Sequence, residues 1–282
     1  MTSGVRTEVR KRLISAGRYV QVVTLNTLWN GNELTARQEL AGELLDEQGG
    51  EVVLLQEIPT GDLEASLERI CRAGGYQIAA IGRGEGACST AILSRHGGVM
   101  EEPIVYEGRE RRYSNAVAVV EIRGQAIRFC SAHQPWGGLM EMERTSAARE
   151  LNRELTTRGS VEGCVLGGDF NALEASESIR YLTGLHPVDG ECAQWTDAWG
   201  AAGVGEGATS SPSNPWAIQV AEQHGFTEPD LMPERRIDYI FVHGYAHGRL
   251  LTPLETKVVK RVRGAAFYPS DHWAVASKLY LP

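Results

Sequence analysis

Eight residues in this 282-residue chain have the types needed to handle a phosphate and a cation, and each adjoins an apolar run. Asn26 ends "VVTLN", Glu57 follows "VVLLQ", His133 ends "FCSAH", and Asp169 and Asn171 follow "CVLGG". Asp238 lies in "RRIDYIFV", and Asp271 and His272 precede "WAVASKLYL". Apolar runs of this kind are strands, and strand ends in layered α/β proteins converge on a crevice, so distant residues can share one site. Glu57, Asp169 and Asp271 with Asn26 and Asn171 form an oxygen-only donor set, which suits a hard cation such as Mg²⁺ or Mn²⁺ and not zinc. The two imidazoles can accept or donate a proton near neutral pH, with Asp238 as a further carboxylate to orient one of them. Metal, carboxylate, amide and His-Asp together describe hydrolysis of a phosphate ester. Taken singly, Asn26 could cap a turn and Asp169 a short helix; the ordered set is what points to chemistry.

The elements that position these residues follow from periodicity. Residues 19–25 and 51–56 read as strands, the second a continuous apolar run of the type buried on both faces. A helix is expected over 33–48, with Leu34, Leu40, Leu44 and Leu45 on one face, and another around Leu63, Leu67 and Ile70. Strands follow at 76–81, 88–94, 113–122 and 125–132, the last two forming a hairpin about Arg123-Gly124. A helix over 139–157 leads to a buried strand at 162–170. Residues 184–234, rich in Gly, Pro, Ser and Trp, read as long loops with one short helix near 216–224, and loops of that length tend to be functional. Trp195 and Trp199 in "QWTDAW" suit one face of a helix and core packing. Strands near 236–242, 249–259 and 273–281 complete a single domain over 19–282, preceded by a basic N-terminal tail over 1–18 that is either loose or a short helix.

Charge and cysteine content narrow the partners. With 28 Lys and Arg against 36 Asp and Glu the net charge is −8, which argues against an extended grip on duplex nucleic acid. Basic clusters at Arg109, Arg111 and Arg112, and at Lys257, Lys260, Arg261 and Arg263, read first as solvated faces. Five widely spaced cysteines fit neither a disulfide framework nor a zinc site, and the apolar runs are too short to cross a bilayer. The expectation is a soluble, cytoplasmic monomer with reduced thiols. His96, His186, His224, His243 and His247 lack comparable neighbours and read as surface or loop residues.

"LNTLW", "LLQEI", "GGDFNA", "RRIDYIF" and "PSDHWAV", in that order and spanning nearly residues 20–281, resemble the endonuclease/exonuclease/phosphatase superfamily. The resemblance implies a four-layer α/β sandwich, two packed and mostly antiparallel sheets flanked by helices, with the site at one edge of the sheets. It implies that Glu57 is the principal metal carboxylate with Asn26 beside it, and that Asp169 and Asn171 position the attacking water, whose proton goes to either Asp169 or His272. His133 then contacts phosphoryl oxygens, Asp238 partners the terminal histidine, and Asp271 and His272 act as metal-side carboxylate and as base or transition-state stabiliser. A departure is local: Ala132-His133-Gln134 stands where the family often has Thr-His-Leu.

Three residues are candidates for binding substrate: Asn115, which begins a strand beside the site, Trp136 in the loop after His133, and Asn214 in "GATSSPSNPW", where Thr209 is a further candidate. Substrates compatible with the pattern are a small phosphorylated metabolite, a lipid head group or a nucleotide. The alternative is a nuclease or a DNA end-processing phosphodiesterase acting on a nucleic-acid end, since "PSDHW" and the Trp-rich loops resemble the tyrosyl-DNA phosphodiesterases of the superfamily. A catalytically silent binding module is a further alternative, disfavoured because no site residue is missing.

Overall fold

Strand β1 (Tyr19–Asn26) sets the plan of the molecule by burying opposite faces in different cores. Val20 and Val22 enter one apolar cluster with residues of both sheets, while Val23 and Leu25 enter another with helical residues such as Leu44, Leu45 and Leu67. A strand covered on both faces has no solvent side, which explains why every residue of β1 after Tyr19 is buried.

The computed structural model describes residues 3–109, 112–244 and 249–282. Among these residues the order is α1 (Ser3–Ser15), β1, α2 (Leu34–Glu47), β2 (Val52–Pro59), α3 (Leu63–Gly74), β3 (Gln77–Gly82), β4 (Cys88–Ser94), β5 (Val99–Glu107), β6 (Arg112–Ile122) and β7 (Gln125–His133). Then come α4 (Glu141–Thr157), β8 (Gly163–Asp169), α5 (Glu177–Leu182), β9 (Trp195–Asp197), α6 (Ala198–Ala202), α7 (Pro215–Gln223), β10 (Asp238–His243), β11 (Pro253–Val259) and β12 (Ala274–Tyr280).

Two six-stranded sheets result, ordered β11-β12-β1-β2-β4-β3 and β5-β6-β7-β8-β10-β9. Among the strands of the described residues, β1/β2 and β7/β8 are the pairs that run parallel. Helices α2 and α3 cover the first sheet through the cluster of Leu44, Leu67 and Val53, and α4 and α5 cover the second through Leu151, Ile179 and Phe241. The expected four-layer sandwich is the fold found. Because β12 is antiparallel to β1 and β10 is antiparallel to β8, the ends of β1, β2, β7 and β8 share one edge with the beginnings of β10 and β12.

The differences from expectation lie where periodicity is weak. Of the two readings of the basic N-terminal segment, loose or a short helix, the helix is the one formed, as α1, and its Arg10 Nη2 donates to the Ala201 carbonyl at 2.8 Å. Strand β5 has mostly exposed or half-buried residues and a register shift between Glu101 and Ile104 about Pro103, the marks of an edge strand that lacks an apolar rhythm. Trp195 lies in β9 and Trp199 in α6, so they do not share a helix face, although Trp195 is buried in the core. All five cysteines are free; Cys130 and Cys164 are buried, Cys71 and Cys88 half-buried and Cys192 exposed. Among the described residues, no helix is long and apolar enough to cross a membrane.

Candidate active site

Register brings the polar residues together. Asp169 at the end of β8 stands opposite His133 on β7 and opposite Asp238 on β10, so three strands of the second sheet present a row of imidazole and carboxylates. The first sheet supplies Asn26, Glu57, Asp271 and His272 from the facing edge. The sheets are joined there by Asn26 Nδ2, which donates to Asp169 Oδ2 at 3.0 Å, and by Gln56 Nε2, which donates to Ser131 Oγ at 2.9 Å.

Asp169 is the hub. Its Oδ2 also accepts from Asn171 Nδ2 at 3.2 Å and lies 3.8 Å from His133 Nε2 and 3.9 Å from His272 Nε2, while its Oδ1 accepts from the Asn171 amide at 2.8 Å. The preceding glycine makes this possible. Gly168 has φ +145°, and a Cβ there would sit 1.9 Å from the Ala132 carbonyl oxygen. Gly168→Ala should therefore destabilise the protein by roughly 3 kcal/mol, through strained backbone and overpacking combined. A chemical denaturation curve checks this, and a loss under about 1 kcal/mol, the size of an ordinary substitution, would show that the two strands can separate cheaply.

Glu57 reaches the site by a different device. The pairing of β2 with β4 shifts between Leu55 and Ile58, and Glu57 in that bulge adopts φ +55°. A bulge turns a side chain out of the sheet's alternation, and a left-handed glutamate is strain of the sort that persists where function holds it. Glu57 Oε1 lies 3.5 Å from His133 Nε2.

His272 is held from below: its Nδ1 is 2.9 Å from Asp238 Oδ2, and its Nε2 is 3.9 Å from an oxygen of both Asp169 and Asp271. Ser270 Oγ accepts from the His272 amide at 3.2 Å and donates to Asp271 Oδ1 at 3.1 Å. All eight residues singled out by type and spacing thus meet at one edge.

Residues 23–272 match the model of the Endonuclease/Exonuclease/phosphatase family. The chain belongs to this family. No curated protein sequence matches it. Among solved structures, truncated Caenorhabditis elegans TDP2 is similar at 19% identity and TM-score 0.68, with 94% of this chain and 98% of that one covered. D. rerio TDP2 complexed with single strand DNA product is similar at 19% identity and TM-score 0.69, covering 92% and 98%. The endonuclease/exonuclease/phosphatase from Bacteroides vulgatus is similar at 16% identity and TM-score 0.69, covering 94% and 99%. At these identities the structures share the fold.

Within this Endonuclease/Exonuclease/phosphatase domain the charge balance suits a divalent cation. Burial, then the nearby Asp271, pushes the Glu57 carboxyl above its ordinary range. Burial likewise pushes Asp169 up to about 6, against the pull of His272. Carboxylates crowded in a buried site repel one another, and a divalent cation would relieve that repulsion. Ligand atoms of Glu57, His133 and Asp169 lie within 4.8 Å of one another, as do those of Asp169, Asp238 and His272. Burial alone would lower the His272 pKa, but Asp238, Asp271 and Asp169 outweigh it and hold the imidazolium well above its ordinary value.

The three substrate candidates fare differently. Asn115 is fully buried; its Nδ2 donates to the Ile104 carbonyl and its Oδ1 accepts from the His133 amide at 3.1 Å, so it supports His133 from behind. Asn214 is also fully buried, caps α7 and donates to the carbonyls of Ser270 and Asp271, so its carboxamide is spent on the backbone and not on a ligand. Thr209 Oγ1 accepts from the amides of Ile237 and Asp238 and has the same supporting character. Trp136 is 53% exposed and packs on His224 at 4.6 Å between ring centroids, so much of its ring stays open to solvent. His186 pairs with Glu177 and His96 with Glu51, whereas His247 and Arg111 lie outside the described residues. Sequence reasoning missed Ser270, Arg37 and Cys88, whose Sγ is 3.9 Å from His133 Nδ1. Only Ser270 had a signal, its place within the "PSDHW" motif.

Proposed function

We propose that this protein hydrolyses phosphate esters in the presence of Mg²⁺ or Mn²⁺, water attacking phosphorus. The observation that carries this reading is the single carboxylate of Asp169 faced by the Nε2 atoms of both His133 and His272. When bound, the cation neutralises the phosphoryl oxygens and polarises phosphorus. Glu57 would hold it from β2, with Asp271 and Asn26 alongside. Asn171 keeps the Asp169 carboxylate aimed, and Asp169 accepts the proton of the attacking water. His272, ringed by three carboxylates, carries a proton and donates toward charge that develops on oxygen; Asp238 holds its other nitrogen. His133 donates to a non-bridging oxygen.

The chemistry requires only a compact phosphate ester, such as a small metabolite or lipid head group. A second reading, processing of a nucleic-acid end, is favoured by one feature beside the site. The Lys260 ammonium lies 4.1 Å from the ring centroid of Trp273, and the Arg261 guanidinium 5.9 Å from that of Tyr268, on segments flanking His272. The D. rerio TDP2 structure holding a single strand DNA product supports the same reading by analogy. The five free cysteines support a reducing, cytoplasmic setting, and the reading takes the enzyme as a monomer.

A panel of a phosphomonoester, a phosphodiester, a 5′-blocked oligonucleotide, plasmid DNA and sphingomyelin, with Mg²⁺ or Mn²⁺ and a chelator control, tests the proposal. Turnover of at least one substrate that the chelator abolishes is expected. Steep loss of affinity with rising salt would select the nucleic-acid reading, since each phosphate contact releases counterions. Bound metal with no turnover of any substrate would favour a binding module and sink the enzyme reading.

A further inference from the structure

Arg37 on α2 is 1% exposed and forms no ion pair among the described residues. A buried guanidinium without a carboxylate partner is costly unless every donor is satisfied. Here each nitrogen finds a backbone carbonyl: Nε donates to Asn32 at 3.0 Å, Nη1 to Thr27 and Leu28 at 3.1 and 3.2 Å, and Nη2 to Leu28 and Asn30. The fork thus gathers the loop between β1 and α2 around itself. That loop is tied in turn to both strand ends that carry site residues. The Leu28 amide donates to Asn26 Oδ1 at 3.0 Å, and Thr27 Oγ1 donates to the carbonyls of Gln56 and Glu57, each at 3.0 Å.

On its other side the guanidinium lies 5.4 Å from the ring centroid of Trp216, the second residue of α7. Trp216 Nε1 donates to the Tyr268 carbonyl at 2.8 Å, and its amide donates to Asn214 Oδ1 at 3.1 Å. Asn214 Nδ2 then donates to the carbonyls of Ser270 and Asp271 at 2.9 and 3.0 Å. An unbroken path of contacts runs from Glu57 to Asp271 through Arg37 and Trp216.

The sheet cannot do this work. Pairing between β1 and β2 stops at Asn26 with Gln56, Glu57 sits unpaired in the bulge between β2 and β4, and β12 begins only at Ala274, so regular ladder pairing fixes neither Glu57 nor Asp271. Like charge drives them apart. We infer that the Arg37–Trp216 contact is a clamp that sets the spacing of Glu57 and Asp271 for a divalent cation, making both positioning residues. Arg37 also stands near enough to Asp271 and Glu57 for their charges to offset part of the pull of burial on its guanidinium. Lysine cannot replace it, because an ammonium has three donors where the fork has five.

This inference rests on the metal-dependent reading of the site, and calorimetric titration with Mn²⁺ alone, without substrate, separates the two. The full chain should bind Mn²⁺, and Glu57→Gln should lose that binding. Trp216→Leu and Arg37→Lys should each weaken it roughly 10- to 100-fold, as supporting residues behind metal ligands do. Combining them should weaken it little further, because either one opens the same clamp. Should Arg37→Lys fail to fold, Trp216→Phe, which keeps an aromatic face but loses the bond to Tyr268, should fall between parent and Trp216→Leu. Hydrogen exchange should also quicken at residues 27–32 in Trp216→Leu, although the substitution lies on another segment. Folded Trp216→Leu that binds Mn²⁺ within about twofold of the parent, or effects that add fully, would overturn the clamp and leave the catalytic reading standing. A parent chain that binds no Mn²⁺ would overturn both.

Discussion

Glu57→Gln should cut metal-dependent hydrolysis by about a hundredfold to a thousandfold, the loss seen when a preorganised stabiliser of transition-state charge is removed. Glutamine keeps the size of the side chain but not its charge, and the cation loses the carboxylate nearest His133. The same change should leave the metal-free protein at least as stable as the parent at neutral pH. Burial and Asp271 hold the Glu57 carboxyl above its ordinary range, so its ionised form is a liability to the fold when no cation is present. An acid raised in this way contributes stability at low pH that is lost as pH rises through the folded value. A neutral amide escapes that loss. Turnover against Mn²⁺ concentration, read beside a melting curve without metal, tests both halves. Near-normal metal-dependent turnover in a folded variant would sink the site assignment.

His272→Ala should lower turnover by about a hundredfold or more, and unlike Glu57→Gln it should weaken the fold. Asp238 is 1% exposed and its Oδ2 would lose the imidazole 2.9 Å away, leaving a buried carboxylate unpaired. Breaking a buried pair from one side costs about 3 to 5 kcal/mol. The pH dependence identifies the cause. His272 is raised above its ordinary value of 6.5, so its contribution to stability is complete below 6.5 and is lost as pH climbs through the higher folded value. Asp169, raised from 3.8 to about 6, contributes in full below 3.8 and loses its share as pH passes about 6. Metal-free parent should therefore lose melting temperature in two stages on alkalinisation, and His272→Ala should lack the upper one. A variant with the parent's pH profile would show that the imidazole is not charged in the folded protein.

How far the chain could be read in advance depended on how local each cause is. The apolar patterning that makes β1, β6 and β12 strands lies within a few consecutive residues, as does the covalent adjacency that places Asp271 beside His272 and Asp169 two residues from Asn171. Edge strand β5 and the short elements α5, β9 and α6 were not visible, because half-exposed or very short segments carry no period. Asn115 and Asn214 show the other limit. Both lie close to the site, as their positions suggested, yet their carboxamides are turned to the backbone behind His133 and Asp271.

Five short motifs in order, each joining an apolar strand to polar residues, are enough within the chain to specify the family and its sandwich, and together with His133 they hold the eight side chains that gather. Where each of these side chains stands was set by packing in three dimensions. Asp169 became the hub because register placed it between His133 and Asp238, and because Asn26 crosses from the other sheet to reach it. Arg37 and Trp216 became supports because helix and loop packing brought together two residues 179 positions apart. Hydrogen bonds and charge act over a few ångströms in space, and which groups come that close is set by packing between distant segments.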